Sequence, residues 1–363
     1  MIQTNKKQLA IRQICFFIIA FLPTTKLFMM PSVVAKFANE DMWISIFINL
    51  SIDFFTIAML TLACKKSNLT FFEILEKAFG KAISKIIFGF YFAFFFAKSI
   101  IPLDEQRDYI DFTLYTLLPN VFYFLPFFLV AFFLAMKKLR AIGRLADVLW
   151  IITLIGFILL MLLSLSNADF SAILPVGARG FSNIIKGAYS SFIWFSDAVY
   201  FLFFIGQVKY KKGDYKKLFF SYGVYAIMVL LFAIVFYSIF TSISFRQRFA
   251  LTEISKYTTV ISNIGRLDFI GILLILLSNV ISLSLPIYFC CKLLNRIFGF
   301  TKPWIAPTIT ILLHLIIVLF LSEYYATIER IFLGYGALFF FIFGNVLPIF
   351  TLFFINKGEK NAN

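Results

Sequence analysis

The sequence predicts an all-α membrane protein of about ten transmembrane helices, and three observations carry that prediction. Residues are 61% hydrophobic and only 14% charged, whereas a soluble domain carries about 25% charged residues. Apolar runs long enough to cross a hydrocarbon core of ~30 Å recur along the whole chain. Between these runs Lys and Arg gather in short clusters on alternate sides, the footprint of membrane topology. A mean hydropathy of +0.93 leaves too little polar surface for solution. Residues 1–363 are therefore read as a single transmembrane domain.

Runs of ~20 apolar residues place the spans at about 11–36, 42–63, 83–104, 118–136, 145–165, 181–206, 216–242, 266–291, 304–322 and 331–355. The first run is too long for a cleavable signal peptide and holds Lys26. Assigning loops to alternate sides puts 22 of the 33 basic residues on one side. Lys65, Lys66, Lys137, Lys138, Lys211 and Lys212 are among them. The opposite loops are acidic or mixed, as in Glu40-Asp41 and Asp104-Glu105-Gln106-Arg107-Asp108. An even helix number with both termini cytoplasmic accounts for every loop. The net charge of +15 thus reads as topology, and no nucleic-acid partner is expected; the lipid bilayer is the surrounding medium.

Enzyme signatures are missing. Cys15, Cys64, Cys290 and Cys291 lie inside or at the ends of apolar runs with no zinc-like spacing, and His314 is the single histidine. No metal site and no cofactor is expected. Gly177-Ala178-Arg179-Gly180 lacks the strand–helix context of a phosphate loop and reads as a turn. Residues 67–80 carry a capping box at Thr70 and Glu73 and a stop at Gly80. Phe71, Ile74, Leu75, Ala78 and Phe79 share one face of that segment, which suits a helix lying on the membrane. A second, weaker helix of this kind is read over 249–264.

Two spans carry helix breakers. The first holds Leu22-Pro23-Thr24-Thr25-Lys26 and then Met30-Pro31-Ser32; the sixth holds Gly187-Ala188-Tyr189-Ser190-Ser191. Each proline removes a backbone donor and bends the chain before it. Spans one and six are equivalent members of two five-helix halves, about 11–165 and 181–355. Paired interruptions of this kind mark a transporter site in an inverted-repeat fold. An ordinary proline kink beside a small-residue packing face accounts for the same pattern, and the pattern alone leaves both readings open.

Charges at membrane depth mark function by default, because burying one costs at least ~2.5–3.5 kcal/mol. Asp197 lies in the second half of span six, Asp53 in span two, Lys98 in span three and Lys26 in the interrupted part of span one. Asp197, Lys26 and Asp53 are the candidates for ion coupling or gating. Asp147 beside Arg144 reads as a local surface pair, and His314 as a packed, hydrogen-bonded residue.

Several segments together resemble the spore germination permease family, the B subunits of nutrient germinant receptors within the amino acid–polyamine–organocation superfamily. They are Pro31-Ser32, Thr70 to Gly80, Leu117-Leu118-Pro119, Ile142-Gly143-Arg144-Leu145-Ala146-Asp147, Ile173-Leu174-Pro175-Val176 with Ile185-Lys186-Gly187-Ala188, and Gly265-Arg266-Leu267-Asp268. Each is weak alone; their order and spacing over nearly the whole chain carry the likeness. Two segments depart from the pattern. Phe195-Ser196-Asp197 stands where the family has Phe-Gly-Glu, and Pro23-Thr24-Thr25 replaces a stretch containing Gly and Ser.

The resemblance implies a LeuT-type five-plus-five inverted repeat with helices one and six interrupted. It implies a ligand-sensing, permease-like receptor subunit that binds an amino acid or similar nutrient between helices one, three, six and eight. Thr24, Thr25, Tyr189, Ser190, Ser191 and Trp194 are the groups best placed to bind it. Partners would be A-type and C-type receptor subunits, and the location a bacterial spore inner membrane. A proton-coupled amino acid transporter is the alternative.

Overall fold

A computed structural model describes residues 9–66, 69–113, 120–208, 210–256, 268–321 and 324–360. Leu117-Leu118-Pro119, Gly265 to Leu267 and residues 257–264 of the expected outer helix lie outside the described residues. Among those described, the regular structure is helical, apart from one isolated bridge between Leu9 and Val208.

The first expected span is broken. α1 (Ile11–Phe21) ends where Pro23 takes away a donor, a short tight turn covers Thr24–Lys26, and α2 (Met30–Ala38) restarts with Pro31 in its first turn. α3 (Met42–Lys66) follows. α4 runs from Phe71 to Thr113 but is two helices joined at Gly80, whose φ of 78° ends the first. The expected capping box opens it: the Thr70 amide donates to Glu73 Oε2 at 2.8 Å. The apolar face of this first part meets protein, not lipid. Phe71 is buried against Phe88, Tyr91 and Phe203.

α5 (Asn120–Met136) and α6 (Leu139–Ser164) complete the first half. α7 (Phe181–Ser190) stops short, residues 191–196 are irregular, and Asp197–Phe204 form a tight 3₁₀ run. The sixth expected span is therefore broken like the first. α8 (Asp214–Phe240), the short α9 (Ala250–Lys256), α10 (Asp268–Phe298) and α11 (Ile305–Leu321) come next. The last expected span, 331–355, is more divided than the sequence reading. α12 (Tyr325–Leu333) is separate, and α13 (Gly336–Phe341) joins α14 (Leu347–Lys360) through a π-helical turn, Ile342–Val346.

Five helices among the described residues are long and apolar enough to cross a membrane: Met30–Ala63, Phe71–Asp108, Leu139–Asn167, Asp214–Arg246 and Leu276–Phe298. Ile305–Phe320 and Tyr325–Leu333, bent by 110° from each other, would count as a sixth if taken as one span. Broken helices escape such a test by their breaks. Outward-facing apolar side chains are large and bare: Leu162 is 63%, Phe220 73% and Phe320 74% exposed. Such a belt suits contact with lipid. α10 packs on α4, α5 and α6, and α1 packs on α6 and α8. The first break packs against α10 and the second against α3 and α4.

Asp147 pairs across elements rather than with Arg144. It accepts from Gln13 Nε2 at 3.1 Å and faces Arg12 at 3.3 Å, so it ties α6 to α1. Gly177 to Gly180 form the expected turn, held by Asp41 accepting from the Gly177 amide at 2.7 Å. His314 is buried, with Nδ1 2.7 Å from the Thr310 carbonyl and Nε2 2.8 Å from Ser99 Oγ.

Candidate functional site

Breaking a helix inside a membrane frees backbone groups that must find partners within the protein. Three elements supply them. At the first break, the amides of Ala250 and Leu251, opening α9, donate to the carbonyls of Phe28 and Leu27 at 3.1 and 2.9 Å. At the second, a polar stripe on α3 does most of the bonding. Ser45 Oγ donates to Ile184 O at 2.7 Å, and Asn49 Nδ2 to Ala188 O and Ser191 Oγ, both at 2.8 Å. Asp53 Oδ2 accepts from the Asp197 amide at 3.4 Å. These residues recur at helical spacing on one face of α3. Finally, Lys98 of α4 donates to Ile193 O at 2.9 Å and to Phe195 O.

The two breaks meet through charge. Asp197 accepts Lys26 on Oδ2 and faces Lys98 Nζ at 3.1 Å on Oδ1. Asp53 completes a cluster of two cations and two anions. All four are buried: Lys26 0%, Asp53 1%, Lys98 4% and Asp197 4% exposed. The set is formally neutral: Asp197 pairs with both lysines, while Asp53 accepts from the Asp197 amide and makes no ion pair among the described residues. The Lys26 ammonium also lies 5.8 Å from the Phe195 ring centre and 5.7 Å from that of Tyr225.

A cavity of about 20 Å³ adjoins this cluster, lined by Thr25, Trp194, Asp197 and Lys98 together with Tyr200 of the 3₁₀ run and Ser282 of α10. That space holds about one water molecule. Thr24 lies just behind it, its hydroxyl 2.8 Å from Ser282 Oγ and donating to Phe21 O at 3.0 Å. Ser191 is spent on the α3 stripe. Ser190 donates to Gly187 O at 3.1 Å, and Tyr189 packs on Phe192; neither lines the cavity.

Two participants escape the sequence reading. Lys98 stands out there by its depth but not as a member of the candidate set. Glu105 reads as part of an outer loop, yet α4 continues past it and buries it to 3% exposure, where it accepts Trp194 Nε1 at 2.7 Å. One turn on, Arg107 pairs with Asp104 at 2.7 Å and Arg248 with Asp108 at 2.7 Å. The acidic end of the site is therefore tied shut. Helical periodicity counted past Pro102 is the signal that finds Glu105.

The basic end is open. A vestibule of about 1010 Å³ enters between α4, α6 and α10. Phe203 and Phe289 border it, while Tyr200 borders the central cavity. Ring centres of Phe203 and Phe289 stand 4.4 Å apart, Tyr200 and Phe289 5.4 Å, and Phe95 and Tyr200 5.7 Å. One layer of aromatic rings separates the two spaces.

A family model described as spore germination protein matches residues 8–331. A sequence search of curated proteins finds no match. Among solved structures, a mutant manganese transporter of Eremococcus coleocola aligns with a TM-score of 0.58 at 11% identity, covering 92% of this chain and 77% of that one. At that identity the likeness speaks to fold alone, and it fits a LeuT-like fold. Among the described residues, no group of three or more His, Cys, Asp or Glu is gathered to hold a metal ion.

Proposed function

The chain belongs to the spore germination permease family, and from that premise we propose that it is the permease-like, ligand-sensing subunit of a nutrient germinant receptor. On this reading an amino acid or similar small nutrient binds between helices one, three, six and eight of a ten-helix, five-plus-five repeat. The protein sits in the spore inner membrane with both termini cytoplasmic and works with A-type and C-type subunits. Thr25, Trp194, Asp197, Lys98 and Ser282 line the binding space, with Thr24 behind them.

The observation that carries this reading is the bridge from Lys26 through Asp197 to Lys98, which ties both helix breaks to α4. A zwitterion brings both charges of which the bridge is made. Its ammonium exchanges with Lys26 at Asp197, and its carboxylate meets the released lysine. Such an exchange leaves no buried charge uncompensated. Because the cavity takes about one water, an amino acid fits only when the two breaks move apart. The ligand therefore favours one arrangement over the other, which is the condition for a signal.

One observation favours the alternative, a proton-coupled amino acid transporter. Asp53 is buried beside Asp197, and its Oδ1 has no hydrogen-bond partner among the described residues, which leaves an acceptor for a proton.

The two readings separate in proteoliposomes, with uptake of a labelled amino-acid mixture under an imposed pH gradient and saturable binding measured on one preparation. Saturable binding without uptake supports the sensor. Concentrative uptake that collapses with the gradient and in Asp197→Asn makes the protein a transporter. Binding unaffected by Asp197→Asn removes the proposed site.

A further inference from the structure

We propose that the vestibule at the basic end is a separate binding site for a phosphate-bearing anion with two or more negative charges. Three helix ends converge on it. α4 contributes Lys81 and Lys85, the start of α6 contributes Lys138 and Arg140, and the last turns of α10 contribute Lys292 and Arg296. Glu76 is the one carboxylate in its wall among the described residues, and Arg296 occupies it through bonds of 2.8 and 2.7 Å. Lys292 is turned toward the carbonyls of Ala135 and Lys137, at 3.4 and 3.2 Å. Lys81, Lys85, Lys138 and Arg140 are left with no ion-pair partner among the described residues, and all four are exposed.

The backbone adds to this field. α6 begins at Lys138 with no side-chain cap and no acidic residue in its first turn. The amides of a helix start and its partial positive charge favour an anion there. Membrane topology explains why these residues are basic, but not why they face one cavity. Lys211, Lys212 and Lys216 belong to the same side and do not line the vestibule. Four unpaired cations exceed what a single carboxylate neutralises. A phosphate group brings close to two charges and three strong acceptor oxygens. A soluble phosphorylated solute offers that charge in one group, and a lipid headgroup with two singly charged phosphodiesters, as in cardiolipin, reaches the same total.

The test uses the full chain in neutral detergent and in lipid nanodiscs, with inorganic pyrophosphate and cardiolipin as probes. Lys85→Gln with Arg140→Gln removes half the unpaired charge at exposed positions. Lys212→Gln with Lys216→Gln removes as much charge outside the vestibule. Saturable pyrophosphate binding that weakens about tenfold in the first variant and holds in the second supports a soluble ligand. Retention of cardiolipin over phosphatidylcholine, lost in the first variant alone and without pyrophosphate binding, supports the lipid source. Binding of both probes, each lost only in the first variant, assigns the site to the phosphate group itself. No binding of either probe, or equal loss in both variants, overturns the proposal.

Discussion

Lys26 and Asp197 lie 171 residues apart and meet inside the protein, each at a break in its own helix. The pair joins the two halves of the chain at the point where each has given up regular backbone. Removing one partner strands the other, since a buried pair broken on one side costs about 3–5 kcal/mol. Asp197→Asn should therefore lower the thermal unfolding temperature steeply, and so should Lys26→Met. The double variant should lose less than the sum, with a coupling above ~1 kcal/mol. Simple additivity in that cycle would show that the pair does not act as a unit.

The bond between Trp194 and Glu105 closes the acidic end and predicts a conditional effect. Trp194→Phe keeps an aromatic ring but removes the indole donor 2.7 Å from a buried carboxylate. Losing a donor to such a group costs about 1–3 kcal/mol. Combining it with Glu105→Gln removes the charge that needed the donor and should recover part of the loss. Calorimetry on both variants checks this, and a single variant as stable as the parent would sink it.

Much of this site is legible in the sequence, and for one physical reason. Prolines and charges within apolar runs are costly, so Pro23, Pro31, Lys26, Asp53 and Asp197 announce themselves, and the structure gathers them. Hydroxyls carry no such signal. Thr24 in the first span and Ser190 and Ser191 in the sixth each sit at a break, yet each spends its hydroxyl on a nearby carbonyl, as Ser and Thr do in apolar helices. Their sequence positions say nothing of which way the backbone turns at the break. Glu105 is hidden by its neighbours: a run of charged residues looks like a loop until the helix is followed through Pro102. The last span splits at Gly334-Tyr335, between α12 and α13, and a π turn that no residue type prescribes then carries α13 into α14.

The ring layer between cavity and vestibule predicts a change in access. In a background without native cysteines, Ser282→Cys places a thiol in the cavity wall, shielded from the basic side by Phe203 and Phe289. A water-soluble thiol reagent applied from that side should modify it slowly. Adding Phe203→Ala should speed the reaction by about tenfold or more, since a truncated aromatic leaves a gap wide enough for water. Equal rates with and without Phe203 would mean that the rings are not the barrier.

Ser196 adopts φ 62°, a left-handed conformation that costs a residue with a Cβ about 1–2 kcal/mol. Glycine takes this φ without such a cost. Directly across, Gly344 sits in the π-helical turn, and a Cβ built on it would run into the Ser196 side chain. Asn345 of the same turn donates to Ser196 Oγ at 3.1 Å and accepts from Thr56 Oγ1 at 3.1 Å. The turn thus holds the second break against α3. Gly344→Ala should then destabilise the protein by about 1–3 kcal/mol through overpacking. Ser196→Gly alone should be near neutral, because relief of about 1–2 kcal/mol of backbone strain offsets two hydrogen bonds of about 1 kcal/mol each, one from Asn345 and one to Phe192 O. Together the two should restore most of the stability, as the side chain that the added methyl group meets is gone. If Ser196→Gly fails to rescue Gly344→Ala in thermal unfolding, the close contact between turn and break does not set the packing of this site.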